Sequence, residues 1–254
     1  MGSPHIHVTQ ADGVQRIVID RPHKKNALTG EMYAALAEAF AMGEATKAVR
    51  VHFITGTQDC FTAGNDMASF LNPQAGMMEV LRVIEALRTL EKPLVVAVNG
   101  VAVGIGVTLL LHADLIYASD SATFKTPFVE LGVVPEAGSS LLMPRFMGHA
   151  QAARMLLLGE VFTAQQALDS GLISAVIPHA QVADVALQKA QTLARRPPNA
   201  LRQARMLMRR VSADALKAHI EVETQIFAQC LSSPELQEAV MAFLQKREPD
   251  FSAF

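Results

Sequence analysis

Residues 94–111, LVVAVNGVAVGIGVTLLL, constrain the fold more than any other part of the chain. The run reads as an apolar strand, broken by Asn99-Gly100 and again by Gly104 and Gly106, that continues into a helix-like apolar segment. Glycines at such a junction let the backbone turn tightly and let a ligand approach closely. They also leave free N–H groups at the start of the following helix, where a developing negative charge is stabilised. The stretch therefore has the makings of half an oxyanion hole, and the rest of the chain must supply the other half and a base.

Strand and helix signals alternate around that stretch. Residues 6–8 and 14–20 read as short strands about an Asp12-Gly13 turn. Thr29 is placed as the N-cap of an alanine-rich helix over residues 30–42. Residues 49–55 form a β-branched buried strand, followed by a small-residue turn at Ala63-Gly64. A helix is expected after Pro73-Gly76, with Val80, Leu81, Ile84 and Leu87 on one face and Pro93 beyond its end. Residues 115–118 and 123–124 read as strands, and 127–134 as irregular, with Pro135 placed like the first residue of a helix. From His149 the pattern is mostly helical: 149–158, 163–170 with Gly171 as its stop, a short strand at 172–177, then three helices broken at Pro197-Pro198 and Ser233-Pro234. Strand, turn and helix in repetition imply an α/β fold. The expected boundary separates a core of residues 1–196 from a helical subdomain of residues 197–254.

Composition removes several function classes. Half of the 254 residues are hydrophobic, enough for a substantial core. A net charge of −2 lacks the basic excess of a nucleic-acid binder. Cys60 and Cys230 form neither a disulfide framework nor a zinc spacing, which fits a reducing cytoplasm. Polar and glycine breaks in the longest apolar stretch argue against a membrane span, and the opening MGSPH lacks the regions of a signal peptide.

Four pieces, DRPHKKNAL (20–28), FTAGNDM (61–67), VAVNGVAVGIGVTLLLHADL (96–115) and FVELGVVPEAGSSLLMPRFMG (128–148), carry a resemblance in their order and spacing. So do GEVFTAQQALDSGLISAVIP (159–178) and AFLQKREPDF (242–251). With these the chain resembles the crotonase superfamily, the enoyl-CoA hydratase/isomerase fold, over nearly its whole length. The resemblance implies a spiral of ββα units with a helical C-terminal trimerisation subdomain, assembled as a homotrimer or a dimer of trimers. It implies stabilisation of an acyl-CoA thioester enolate by two backbone N–H groups, here those of Asn65 and Ile105. Preorganised donors of this kind supply a large share of a barrier reduction. Coenzyme A is then part of the substrate, and no separate cofactor is implied.

The family's hydratases use two glutamates, and by alignment those positions fall on Thr108 and Phe128. Neither transfers a proton as a carboxylate would. Glu136, in VPEAGSS, stands where isomerases resembling the peroxisomal Δ3,Δ2-enoyl-CoA type carry their single catalytic glutamate. Moving a double bond needs one base, which takes a proton from C2 and returns it at C4, and such catalysis contributes about 10²–10⁴-fold. A helix N-terminus would favour ionised Glu136, and burial among Phe128, Leu131, Val133 and Val134 would disfavour it. A glutamate after an N1 proline is also a favoured helix-start residue in its own right.

For the CoA, the resemblance points to Lys24, Lys25 and Lys246, the last able to reach a neighbouring subunit's CoA. Ala63, Gly64, Met67, Phe70, Gly104, Thr108 and Phe128 complete the expected substrate-contacting set, with Leu71 beside the acyl tunnel. Glu130 is the nearest rival to Glu136, Asp66 reads as a helix cap or a buried structural hydrogen-bonder, and Asp114 reads as holding a turn. The scattered His52, His112 and His149 form no metal motif. Cys60 has no base at a recognisable spacing, and Ser139 and Ser140 lack a hydrolase elbow. Gly104-Ile105-Gly106 lacks the third glycine of a dinucleotide fingerprint. The leading expectation is a Δ3,Δ2-enoyl-CoA isomerase. The alternatives are a hydratase or another acyl-CoA lyase or hydrolase of the family, and a non-catalytic CoA-ester-binding subunit.

Overall fold

The computed structural model describes residues 3–57, 59–71 and 76–254. Strands β1 (Ile6–Ala11) and β2 (Val14–Ile19) pair antiparallel about Asp12-Gly13, whose φ angles are 52° and 76°. Two positive φ values are what a two-residue type I′ hairpin requires. Helix α1 (Gly30–Ala45) starts at the expected cap, with Met32 N–H donating to Thr29 Oγ1 at 3.4 Å.

The chain then repeats one pattern. β3 (Val51–Thr55) and β4 (Cys60–Thr62) are followed by α2 (Met77–Thr89). β5 (Leu94–Val98) and β6 (Val101–Val103) are followed by α3 (Ile105–Thr108), and then come β7 (Leu115–Ser119) and β8 (Thr123–Lys125). After α4 (Ser139–Met147) and α5 (His149–Leu156), β9 (Phe162–Thr163) leads into α6 (Ala164–Asp169), where Thr163 and Gln166 form a capping box. β10 (Ala175–Ile177) follows. Among the described residues one sheet has the order β1-β2-β3-β5-β7-β10 and the other β4-β6-β8-β9. From β3 to β8 each turn of the chain lays one strand on the first sheet and the next on the second, and among the described strands only the β1–β2 and β8–β9 pairs are antiparallel. This is the ββα spiral.

Burial on both faces explains why β5 is a continuous apolar run and why every residue of β3, including the polar His52 and Thr55, is buried. Phe53, Val95 and Ala97 face α7 (Val182–Ala194) through Val182, Ala186 and Ala190, whereas Ile54, Val96 and Val98 face the main core. The two-residue period of a strand divides one sequence between two cores. In α2, Val83, Ile84 and Leu87 are buried, while Val80 and Leu81 are half-buried; Pro73 and the Leu71 side chain lie outside the described residues.

Beyond β10 come four helices where three are expected: α7, α8 (Pro198–Arg210), α9 (Ala213–Cys230) and α10 (Pro234–Gln245). The α8–α9 break, at Val211-Ser212, contains neither proline nor glycine and so carries no local signal. α8 is anchored by Arg205, whose Nε donates to Asp114 Oδ2 at 2.7 Å, while Asp114 Oδ2 also accepts Leu94 N–H at 2.8 Å. Asp114 thus holds the turn it was expected to hold. Leu216, Ile220, Leu236 and Val240 belong to the same core cluster as Ile17 and Phe40, so the C-terminal helices pack onto the spiral. Among the described residues no helix is long and apolar enough to cross a membrane.

Candidate active site

β4 and β6 run parallel, with Cys60 opposite Val101 and Thr62 opposite Ala102, so the turns that follow them leave the sheet on the same side. Gly64, at φ +86°, lies against the end of β6; a Cβ there would stand 2.9 Å from the Val103 carbonyl oxygen. Gly104 takes φ 55° and ψ −117°, and a Cβ on it would meet nothing within 4 Å. That conformation is open to glycine and strained for other residues. Leu28 donates to the Gly64 carbonyl at 2.8 Å and accepts from Asp66 N–H at 2.9 Å, passing over the intervening Asn65 N–H. Ile105 is the first residue of α3, where an N–H has no partner one turn back. The two donors therefore stay out of the hydrogen bonds that shape the turns, and both residues line one cavity. The Tyr33 hydroxyl donates to Asn65 Oδ1, fixing that side chain against α1.

The expected helix start at Pro135 is corrected by the structure. Ala137 and Gly138 take φ values of +57° and +78°, and α4 begins only at Ser139. Glu136 thus sits ahead of the helix, on a left-handed corner. His112, buried and pulled down to about 4 by that burial, is neutral and donates from Nε2 to the Ala137 carbonyl at 2.8 Å. Glu223 of α9 accepts from the Gly138 and Ser140 N–H groups at 2.6 and 3.0 Å, while the Ser139 N–H donates to the Glu136 carbonyl at 3.0 Å. Burial first, and the Glu223 carboxylate second, raise the Glu136 carboxyl to about 7, against a lowering by the Thr108 hydroxyl, which donates to Glu136 Oε1 at 3.4 Å. A carboxyl titrating near neutrality is matched to proton transfer in either direction.

The cavity encloses about 740 Å³ and brings together Glu136, Asn65, Ile105, Ala63, Gly64, Gly104, Met67, Phe70 and Phe128. Lys24 and Lys25 also line it and are exposed. Their loop is set by Asn26, which accepts Arg21 N–H at 2.7 Å and donates to the Cys60 carbonyl at 2.8 Å. A chamber of about 70 Å³ shares Asn65, Phe70, Glu136 and Phe227 with the cavity and is otherwise mostly apolar, with Tyr33, Val80, Leu81 and Ile84 in its wall.

Two expected residues fall elsewhere. Thr108 is fully buried and absent from the cavity wall; it is bonded to Glu136 and holds that carboxyl from behind. Lys246 is exposed and does not line this chain's cavity, although Phe243 and Leu244 at the end of the helix before it do. Sequence reasoning missed Tyr33, Phe227, Phe243, Leu244 and Glu223. All five lie on helices whose amphipathic pattern does not distinguish a cavity wall from ordinary core.

The remaining candidates have structural partners. Glu130 is paired with Lys125 at 2.7 Å. Asp66 accepts Ala68 N–H at 3.1 Å and the Arg21 guanidinium at 2.6 Å, and these bonds hold its carboxyl low against the effect of burial. Burial lifts the Cys60 thiol to about 11, and its S–H donates to the Lys25 carbonyl, so it is no nucleophile at neutral pH. Among the described residues no group of three or more His, Cys, Asp or Glu could hold a metal ion.

Residues 9–253 match the sequence model of the enoyl-CoA hydratase/isomerase family. Enoyl-CoA delta isomerase 2 of Rattus norvegicus is 39% identical over 96% of this chain, which spans 64% of the length of that protein. The 2,3-dehydroadipyl-CoA hydratase of Escherichia coli K12 is 34% identical over 96% of this chain and 97% of its own. The crystal structure of an enoyl-CoA hydratase/isomerase from Pseudoalteromonas atlantica superposes with a TM-score of 0.94 at 40% identity, covering 98% of this chain and all of the other.

Proposed function

The chain belongs to the enoyl-CoA hydratase/isomerase family, and on that premise we propose that it is a Δ3,Δ2-enoyl-CoA isomerase working with one glutamate. One observation carries this reading. Glu136 shares a cavity with the Asn65 and Ile105 donors, while the hydratase glutamate positions hold Thr108, bonded to Glu136, and Phe128, an apolar wall. The relatives' names divide between isomerase and hydratase, so the acid–base side chains decide.

In this mechanism the thioester carbonyl of a 3-enoyl-CoA accepts hydrogen bonds from the Asn65 and Ile105 N–H groups. Ionised Glu136 takes a proton from C2. The electron pair of that C–H bond passes into a dienolate, whose charge rests on the thioester oxygen between the two donors. Protonated Glu136 then delivers the same proton to C4, the double bond settles between C2 and C3, and the carboxylate is regenerated. Hydration would need a second group to activate water, and Glu130, the other glutamate in the cavity wall, is tied to Lys125. Lys24 and Lys25 suit the CoA phosphates as point charges. Assembly as a trimer or a dimer of trimers belongs to the same reading, supported by the exposed Leu207, Met208 and Val211 at the end of α8.

Replacing Glu136 by Gln tests the proposal. Turnover of a 3-enoyl-CoA is expected to fall by about 10²–10⁴-fold with KM nearly unchanged. Unchanged turnover would show that another group is the base.

A further inference from the structure

We propose that Glu223 is a positioning residue for Glu136: from α9 its carboxylate clamps the first turn of α4 and so holds the left-handed corner that presents Glu136 to the cavity. The inference rests on the reading of Glu136 as the base.

Glu223 lies mid-helix and is 5% exposed. A buried carboxylate requires strong partners. Its hydrogen-bond donors all lie on one short segment at the start of α4: Gly138 N–H at 2.6 Å, Ser140 N–H at 3.0 Å and the Ser140 hydroxyl at 2.6 Å. Capping side chains usually come from the residue that begins the helix. The N-cap of α4 is Gly138, which has no side chain, and Glu223 serves in its place from a distant part of the chain. An alanine keeps a left-handed conformation only where its surroundings hold it. Ala137 is held from both sides, by His112 on its carbonyl and by Glu223 on the next N–H.

The polar groups facing this corner come from three directions. Thr108 of α3 donates to Glu136, and His112 from the turn after α3 donates to Ala137. Tyr33 of α1 shares the inner chamber with Glu136. From α9 come Glu223 and His219, whose Nε2 is 2.7 Å from the Ser140 hydroxyl and 3.6 Å from Glu223. Glu223 brings the second negative charge, and its field acts on Glu136 in the same direction as burial.

Ser140, His219 and Glu223 have the composition of a hydrolytic triad but not its geometry. In a triad the carboxylate orients the far nitrogen of the imidazole. Here the carboxylate sits on the serine hydroxyl, and Ser140 is absent from the cavity wall. The cluster is built to hold the corner.

The test is Glu223→Gln in the full chain, which keeps an acceptor oxygen and the side-chain shape while removing the charge. With a 3-enoyl-CoA, kcat is expected to fall about tenfold and KM to change less than about twofold, as for a less basic, less well-aimed base. The acid limb of the pH profile should move down by about half to one pH unit. The same displacement should appear in the ¹³C NMR titration of protein labelled at the glutamate carboxyl, with the Glu136 signal identified by its loss in Glu136→Gln. Glu223→Asp, which keeps the charge, should titrate close to the parent. Unchanged kcat and an unmoved Glu136 titration in Glu223→Gln would overturn the proposal. So would a loss of activity that tracks thermal unfolding with no displacement of the titration. The NMR titration involves no reaction, so retained turnover in Glu136→Gln would refute the base reading alone.

Discussion

Glu136→Gln should stabilise the protein at alkaline pH and not at acid pH. The change replaces an ionisable carboxyl with a neutral group of nearly the same shape. Folding raises that carboxyl from 4.5 to about 7, so the native state holds its proton more tightly than the unfolded chain does. Below about pH 4.5 both states are protonated, and this group contributes no pH dependence. Between 4.5 and about 7 the unfolded state gives up the proton first, so stability falls as pH rises, and above about 7 the loss is complete. At about 1.36 kcal/mol per pH unit, the interval from 4.5 to about 7 corresponds to about 3 kcal/mol. Equilibrium urea unfolding of both proteins, at pH values from about 4.5 to about 8 and at one protomer concentration, measures this, because titrating groups uncoupled from Glu136 cancel in the difference. The gap in favour of Gln should widen by about 3 kcal/mol across that range, on top of any constant offset from the amide. A gap independent of pH would refute the claim that Glu136 is held near neutrality by burial and Glu223.

Thr108→Val removes the hydroxyl that lowers the Glu136 carboxyl; the acid limb of kcat/KM should move up by about half a pH unit, and a downward movement would contradict the assigned contact. Gly64→Ala puts a Cβ 2.9 Å from the Val103 carbonyl oxygen at a φ of +86°, so the Asn65 donor is displaced. kcat should then drop by about 10²–10³, read beside a thermal melt that reports folding. Arg205→Ala leaves Asp114 without its guanidinium partner and should cost about 3–5 kcal/mol in chemical denaturation, while KM of the folded enzyme stays close to the parent.

Local signals were legible where one residue type suits one backbone state. The Asp12-Gly13 hairpin, the Thr29 cap, and the turns at Gly64 and Gly104 fall in this group. The donor pair Asn65 and Ile105 was expected only through the family resemblance; the structure adds that their turns follow neighbouring parallel strands and that both residues line one cavity. Glu136 was singled out through the resemblance of the motif around it, and it lines the cavity, but its setting was not legible. Pro135 followed by Glu reads as a helix start, and tertiary contacts from His112 and Glu223 override that preference by holding Ala137 left-handed. Glu223 itself reads as one more polar position on a long helix. Tyr33 and Phe227 fit an amphipathic pattern equally well as core or as cavity wall. The Val211-Ser212 break arises where α8, tied down by Arg205, gives way to α9, packed through Leu216 and Ile220, and neither constraint is local in sequence.

The central claim is that one glutamate and two main-chain donors make an isomerase and not a hydratase. The direct measurement compares, for one chain length and one enzyme preparation, kcat/KM for shifting the double bond of a 3-enoyl-CoA with kcat/KM for hydrating the corresponding 2-enoyl-CoA. With the other cavity carboxylates, Asp66 and Glu130, held by Arg21 and Lys125, isomerisation should exceed hydration by about 10²-fold or more. Hydration as fast as isomerisation would contradict the account.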